Sequence, residues 1–308
     1  MIMRRLFFLA AAAALILAAC QPAEVEISPT AEQAQAEFMQ GTGFLAFAAR
    51  EGEDEAYDIF ILDLADGEVT RLTEYAGPDI SPSLSPDGES LVYAADTEGT
   101  YDLFVINTDG AAPFRVTDNF VNESEPDFSP DGADILFQMN AFGDYDIFRT
   151  EADGGSQHRL TEDDANDTQA DWSPDGERVA FVSDRDGDFE IFLMDSDGGS
   201  LEQVTENEVY DANPAWSPDG TAIAFVSRRG GRFQLYLHDL ESGEEERITD
   251  IPATVHSPEW SPDGAFIAFI ADDAGSSSVS VLDVESGEIM LLLEGYQEYA
   301  GLSWVPLE

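Results

Sequence analysis

A 44-residue repeat constrains this chain more than any other feature. The tetrapeptide Ser-Pro-Asp-Gly begins at Ser85, Ser129, Ser173, Ser217 and Ser261, with no insertion or deletion between copies. Thr73, Thr117, Thr161, Thr205 and Thr249 keep the same beat, as do Asp58, Asp102, Asp146 and Glu190. So do Phe60, Phe104, Phe148, Phe192 and Tyr236. A period of this length with turn residues at fixed offsets marks a propeller or a solenoid.

One unit shows why a propeller is expected. Asn213 to Trp216 reads as a short strand, and Ser217-Pro-Asp-Gly220 suits a type I turn, with Ser first, Pro second and Gly fourth. Ile223 to Ser227, Phe233 to Leu240 and Glu246 to Thr249 read as three further strands, separated by Gly-containing turns. Four short strands joined by tight turns make one blade. A parallel β-helix is the alternative, but its rungs are shorter and lack regular hairpins.

The run Pro-x-Trp-Ser-Pro-Asp-Gly, then Ile-Ala-Phe-Val-Ser, Asp-Ile-Phe and Arg-Leu-Thr, resembles the TolB-like propeller repeat, a relative of WD-type repeats. The resemblance covers residues 41 to 306. TolB itself carries an additional N-terminal domain; here only a tether precedes the repeats. By analogy with WD-type blades, the strand ending at Trp216 is innermost and the Arg-Ile-Thr strand outermost. The repeats start in phase with a second strand, Phe44 to Ala48, and end with Leu302-Ser-Trp304. The resemblance therefore implies an all-β, six-bladed propeller over residues 41–308, in which the C-terminal strand completes blade one. Closure of this kind removes an exposed inner edge.

The first five residues are short and basic, and Leu6 to Ala19 is an apolar run of fourteen, short for a membrane span. It ends in Leu17-Ala18-Ala19-Cys20, the chain's one Cys. The segment resembles a bacterial lipoprotein signal, which implies cleavage after residue 19 and lipid on Cys20. An ordinary signal peptide with an incidental Cys is the alternative. Residues 20–40 then read as a lipidated Cys and a flexible tether. Gln21 leans towards the outer membrane, so the expected location is the cell envelope, on the periplasmic side of an outer membrane or on the outer cell surface.

The formal charge is -51, with 64 acidic side chains, 13 Arg and no Lys. That field disfavours nucleic acid and anionic lipid as partners. The hydrophobic content of 43% is that of a folded chain. Abundant acid without Lys suits either a high-salt habitat or general solubility.

Asp79, Glu123, Asp167 and Asp211 share one repeat position, five residues before the one that ends each innermost strand, which is Leu84, Phe128, Trp172 and Trp216 in turn. Val255 and Tyr299 stand there in the last two repeats. They are expected on loops around one mouth of the channel, as a carboxylate rim. Such a rim suits an Arg or Lys of a partner, a Ca²⁺ held by neighbouring acids, or solvent alone. Two departures from the repeat are secondary candidates for contact: the Arg228, Arg229 and Arg232 cluster, and Leu291 in an apolar outermost strand. Asp184 to Asp188 reads as a β-turn between strands.

The three His, His158, His238 and His256, fall in different repeat phases, and no catalytic motif is present. The equal spacing leaves no room for the long irregular loops that usually carry catalysis. The expectation is a monomeric, non-enzymatic scaffold without cofactor that binds envelope proteins or another ligand. The alternative is a carbohydrate-active or hydrolytic enzyme with its site at the channel mouth.

Overall fold

A computed structural model describes residues 4–5 and 43–306, except 53, 54, 75, 76 and 98. The signal segment, Cys20 and the tether expected before residue 41 lie outside the described residues, apart from a two-residue strand, Arg4–Arg5, against Glu68–Arg71.

Six antiparallel sheets follow one another in sequence. Blade two is typical: Asp79–Leu84, Ser90–Asp96, Tyr101–Asn107 and Phe114–Arg115, from the axis outward. Blades three, four and five begin with Glu123–Phe128, Asp167–Trp172 and Asp211–Trp216. Blade six runs from Thr254–Trp260 to Ile289–Leu293. Blade one takes its innermost strand from the C-terminus: Glu298–Pro306 pairs with Gly43–Arg50, from Gly43 opposite Pro306 to Arg50 opposite Glu298. The six-bladed ring closed by the last strand is thus as the repeat phase implies.

The repeated residues explain the blade. In the Ser-Pro-Asp-Gly turn, Ser85 Oγ donates to Asp87 (2.6 Å) and accepts from the Ser90 amide (2.9 Å). Gly88 closes the turn at a φ of 68°, a left-handed conformation that a Cβ would strain. The Thr series joins the outermost strand to the third in five of the six blades: Thr73, Thr117, Thr161, Thr205 and Thr249 accept from the amides of Ile59, Leu103, Ile147, Ile191 and Leu235 at 2.9–3.0 Å.

The Phe60 series faces a second aromatic series across the sheet. Phe47–Phe60, Tyr93–Phe104, Phe137–Phe148, Phe181–Phe192 and Phe225–Tyr236 are register partners with ring centroids 5.5–6.0 Å apart. Each buried ring hides about 150–250 Å², worth up to about 4–6 kcal/mol at 25 cal/mol per Å². Trp172, Trp216 and Trp304 are also buried, and Trp304 shares a cluster with Ala268 and Ile270 of blade six, so these rings fill the junctions between blades.

Every innermost strand contains a bulge where its register shifts. Near each bulge one residue has a left-handed backbone: Ser81, Glu125, Gln169, Asn213, Ser257 and Gly301, with φ between 48° and 62°. Five of the six are not Gly, in a conformation that L-residues adopt rarely. The bulge re-aims the flanking side chains, and this shapes the axial channel.

Candidate functional site: the axial channel

The four acids expected to form a solvent-facing rim do not do so. Asp79, Glu123, Asp167 and Asp211 open their innermost strands but are 0–1% exposed. They lie inside the junctions, each beside the acid that opens the third strand of the preceding blade. The pairs are Asp58 with Asp79, Asp102 with Glu123, Asp146 with Asp167, and Glu190 with Asp211.

Cations and amides hold these pairs. Arg71, Arg115 and Arg159 reach Asp58, Asp102 and Asp146 at 2.6–2.8 Å. Arg185 reaches Asp167 (2.9 Å) and Arg229 reaches Asp211 (2.8 Å). The Asn207 amide donates to both Glu190 (3.2 Å) and Asp211 (2.8 Å), and that of Asn119 donates to Glu123. Burial outweighs these partners and pushes Asp58 up to about 6 and Asp79, Glu123 and Glu190 up to about 7.

The carboxylates that face the channel are different ones. An axial cavity is lined by all six innermost strands, and Glu125, Asp127, Asp171 and Glu259 stand in its wall. Three of them belong to a ring of hydrogen bonds between blades. The Leu84, Phe128, Trp172, Trp216 and Trp304 amides donate to Ser303, Ser83, Asp127, Asp171 and Glu259 of the neighbouring blade, at 2.7–3.1 Å. At the blade-five position Ala215 interrupts the ring, and Trp260 Nε1 donates to its carbonyl instead (3.1 Å).

Burial raises these groups: Asp127 is pushed up to about 6, Glu259, beside the charge of Asp127, to about 8, and Asp171, which Asp127 and Glu259 both repel, well above the usual carboxylate range. Several like charges around one cavity attract a cation and resist ionisation together. Among the described residues, no group of three or more His, Cys, Asp or Glu is arranged to hold a metal ion. A set of carboxylates spaced in this way suits an ammonium or a guanidinium group.

These channel acids carry a sequence signal that the rim position obscured. Asp127, Asp171 and Glu259 immediately precede the aromatics Phe128, Trp172 and Trp260 on the 44-residue beat. Strand alternation then sends the aromatic into the blade junction and the acid towards the axis.

The secondary candidates separate. Arg229 is taken up by Asp211, by Glu245 and by the Tyr236 ring at 4.9 Å, whereas Arg228 and Arg232 are exposed. Leu291 is 48% exposed and Ile289 37%, on the outer edge of blade six. Asp184 to Asp188 is a turn, closed by the Gly187 amide on the Asp184 carbonyl (3.0 Å). His256 contacts Ser257 Oγ through Nδ1 (3.1 Å) and Asp272 through Nε2 (3.0 Å).

Comparison with known proteins agrees with this architecture. Solved structures similar to this chain include TolB from Acinetobacter baumannii, at 24% identity and a TM-score of 0.74. That match covers 85% of this chain and 66% of the Acinetobacter protein, so the chain spans just under two thirds of that relative. A putative TolB from Agrobacterium tumefaciens matches at 26% identity and a TM-score of 0.67, over 83% of this chain and 91% of that one. An oligogalacturonate lyase in complex with manganese shares the fold at 19% identity and a TM-score of 0.59, over 83% of this chain and 75% of that one. No curated protein matches the sequence. The TolB beta propeller domain matches twice, over residues 43–173 and 166–306, and the chain belongs to that family.

Proposed function

We propose that this protein is a lipid-anchored, extracytoplasmic binding scaffold that captures a cationic segment of an envelope protein at its axial channel. The observation that carries the reading is the placement of Glu125, Asp127, Asp171 and Glu259 in one cavity, on a chain of formal charge -51. Such a field concentrates and steers Arg- or Lys-bearing segments. The resemblance to TolB structures supports a protein-binding role, and the Cys20 signal supports the anchor and the envelope location.

The test is capture from native envelope by the lipid-free domain. The comparison protein carries Asp127→Asn, Asp171→Asn and Glu259→Gln, changes that keep the acceptors of the interblade ring. A partner retained by the wild type and lost by this variant, with melting no lower than that of the wild type, is the expected result. Equal retention by both refutes the channel as the site. The hydrolytic alternative draws on the Ser257–His256–Asp272 contacts; labelling of Ser257 by a fluorophosphonate would support it, and the scaffold reading expects none.

A further inference from the structure

Among the described residues, the two most exposed large apolar side chains sit on loops at one end of blade three. Phe120 is 99% exposed and Phe142 66%. Phe120 lies in the loop entering blade three and Phe142 in the loop between that blade's second and third strands. Strand register places both loops at the channel end where the innermost strands begin, since Glu123 is paired with Met139 and Met139 with Asp146. The two loops meet over one apolar cluster: Asn119 contacts the sulfur of Met139, the last residue before the Phe142 loop (3.9 Å), and Val121 and Ala141, the immediate neighbours of the two rings, both pack against that cluster.

The fold does not call for these rings. The positions equivalent to Phe120 in the next two repeats are Asp164 and Glu208, and those equivalent to Phe142 are Asp186 and Gly230. The blades are otherwise built alike, so an acid or a Gly satisfies both turns. An exposed aromatic pair on a strongly charged surface is a mark of interaction. Its surroundings define the partner. Glu162, Asp164 and Asp186 are exposed on the neighbouring loops of the same channel end, where Asp118 and Asp163 are also exposed but pair with Arg115 (2.9 Å) and Arg185 (3.0 Å). The nearby cations Arg115 and Arg159 are engaged by Asp102 and Asp146, and Arg159 also lies 4.5 Å from the Phe142 ring.

We infer that Phe120 and Phe142 anchor one apolar side chain of a cationic polypeptide segment, whose Arg or Lys residues meet the surrounding acids and the channel. The inference rests on the scaffold reading and extends it: the partner enters over blades two and three, and its segment alternates basic with apolar residues.

The probes are a labelled Arg-Leu repeat peptide and its Arg-Ser counterpart, titrated into the mature domain. The wild type should bind the Arg-Leu peptide about tenfold more tightly. Phe120→Ser with Phe142→Ser should abolish that preference and leave Arg-Ser binding and the melting temperature unchanged. The channel-neutralised variant should weaken both peptides. Equal affinity of the wild type for both peptides, or a preference that survives the double substitution, overturns the aromatic anchor. A sedimenting dimer that the double substitution dissolves overturns it as well, because the occupant is then a second copy. Arg-Ser binding that ignores channel neutralisation overturns the scaffold reading itself, and absence of binding by either peptide overturns both.

Discussion

Asp171 shows how one side chain serves both structure and site. Its carboxylate accepts the Trp216 amide at 2.7 Å and so ties blade four to blade five, while it feels the charges of Asp127 and Glu259 across the channel. Its folded pKa is raised, so its contribution to stability is complete below the unfolded carboxylate range and is lost as pH rises through the folded value. Asp127 and Glu259 have the same sign, with folded values of about 6 and about 8. Acidification from pH 8 towards pH 5 should therefore stabilise the domain. Asp171→Asn should raise stability by about 1 kcal/mol at pH 8, with the gain shrinking towards zero near pH 4. Thermal melts across that range check both; a loss of stability at pH 8 would mean that the charge of Asp171 is needed by the fold.

At the scale of elements, the junctions between blades differ in a way the repeat only partly discloses. The acid series Asp58, Asp102, Asp146 and Glu190 stands out in the sequence, and so does the series from Asp79 to Asp211. Their pairing across adjacent blades does not, because the partners belong to different repeat phases and meet only when the ring forms. A trace of it remains where both series stop together: Gln234 with Val255, and Ser278 with Tyr299. There the arginine changes role. Arg247 lacks an acid across the strand and keeps only Asp250, whose side chain is 86% exposed, whereas Arg115 holds both the exposed Asp118 and the fully buried Asp102. Arg115→Ala should cost about 2–3 kcal/mol by stranding a buried carboxylate, and Arg247→Ala less than about 1 kcal/mol. Denaturant unfolding of the two variants measures the difference, and equal costs would show that the buried acid is held by other groups.

For the whole molecule, the 44-residue period made the six blades and their closure legible, because turn chemistry and strand alternation recur without interruption. The direction in which the innermost side chains point was less legible. A bulge in each innermost strand, with a left-handed residue from Ser81 to Gly301, sets which positions face the axis. That backbone choice has no sequence mark beyond a frequent Pro in the next position, as at Pro82, Pro126, Pro214 and Pro258. The apparent rim acids were therefore displaced into the junctions, and the acids before the aromatics took their place along the channel. The assembled ring is thus a closed scaffold with a negative axis. Calorimetric titration of the Arg-Ser peptide into the mature domain, beside the Asp127→Asn, Asp171→Asn, Glu259→Gln variant, tests that claim most directly. The account predicts wild-type binding that weakens with added salt and with acidification from about pH 8 through pH 6, as Glu259 and then Asp127 take up protons, and at least about tenfold weaker binding by the variant. Equal affinities for the two proteins, or binding unmoved by salt and pH, would contradict it.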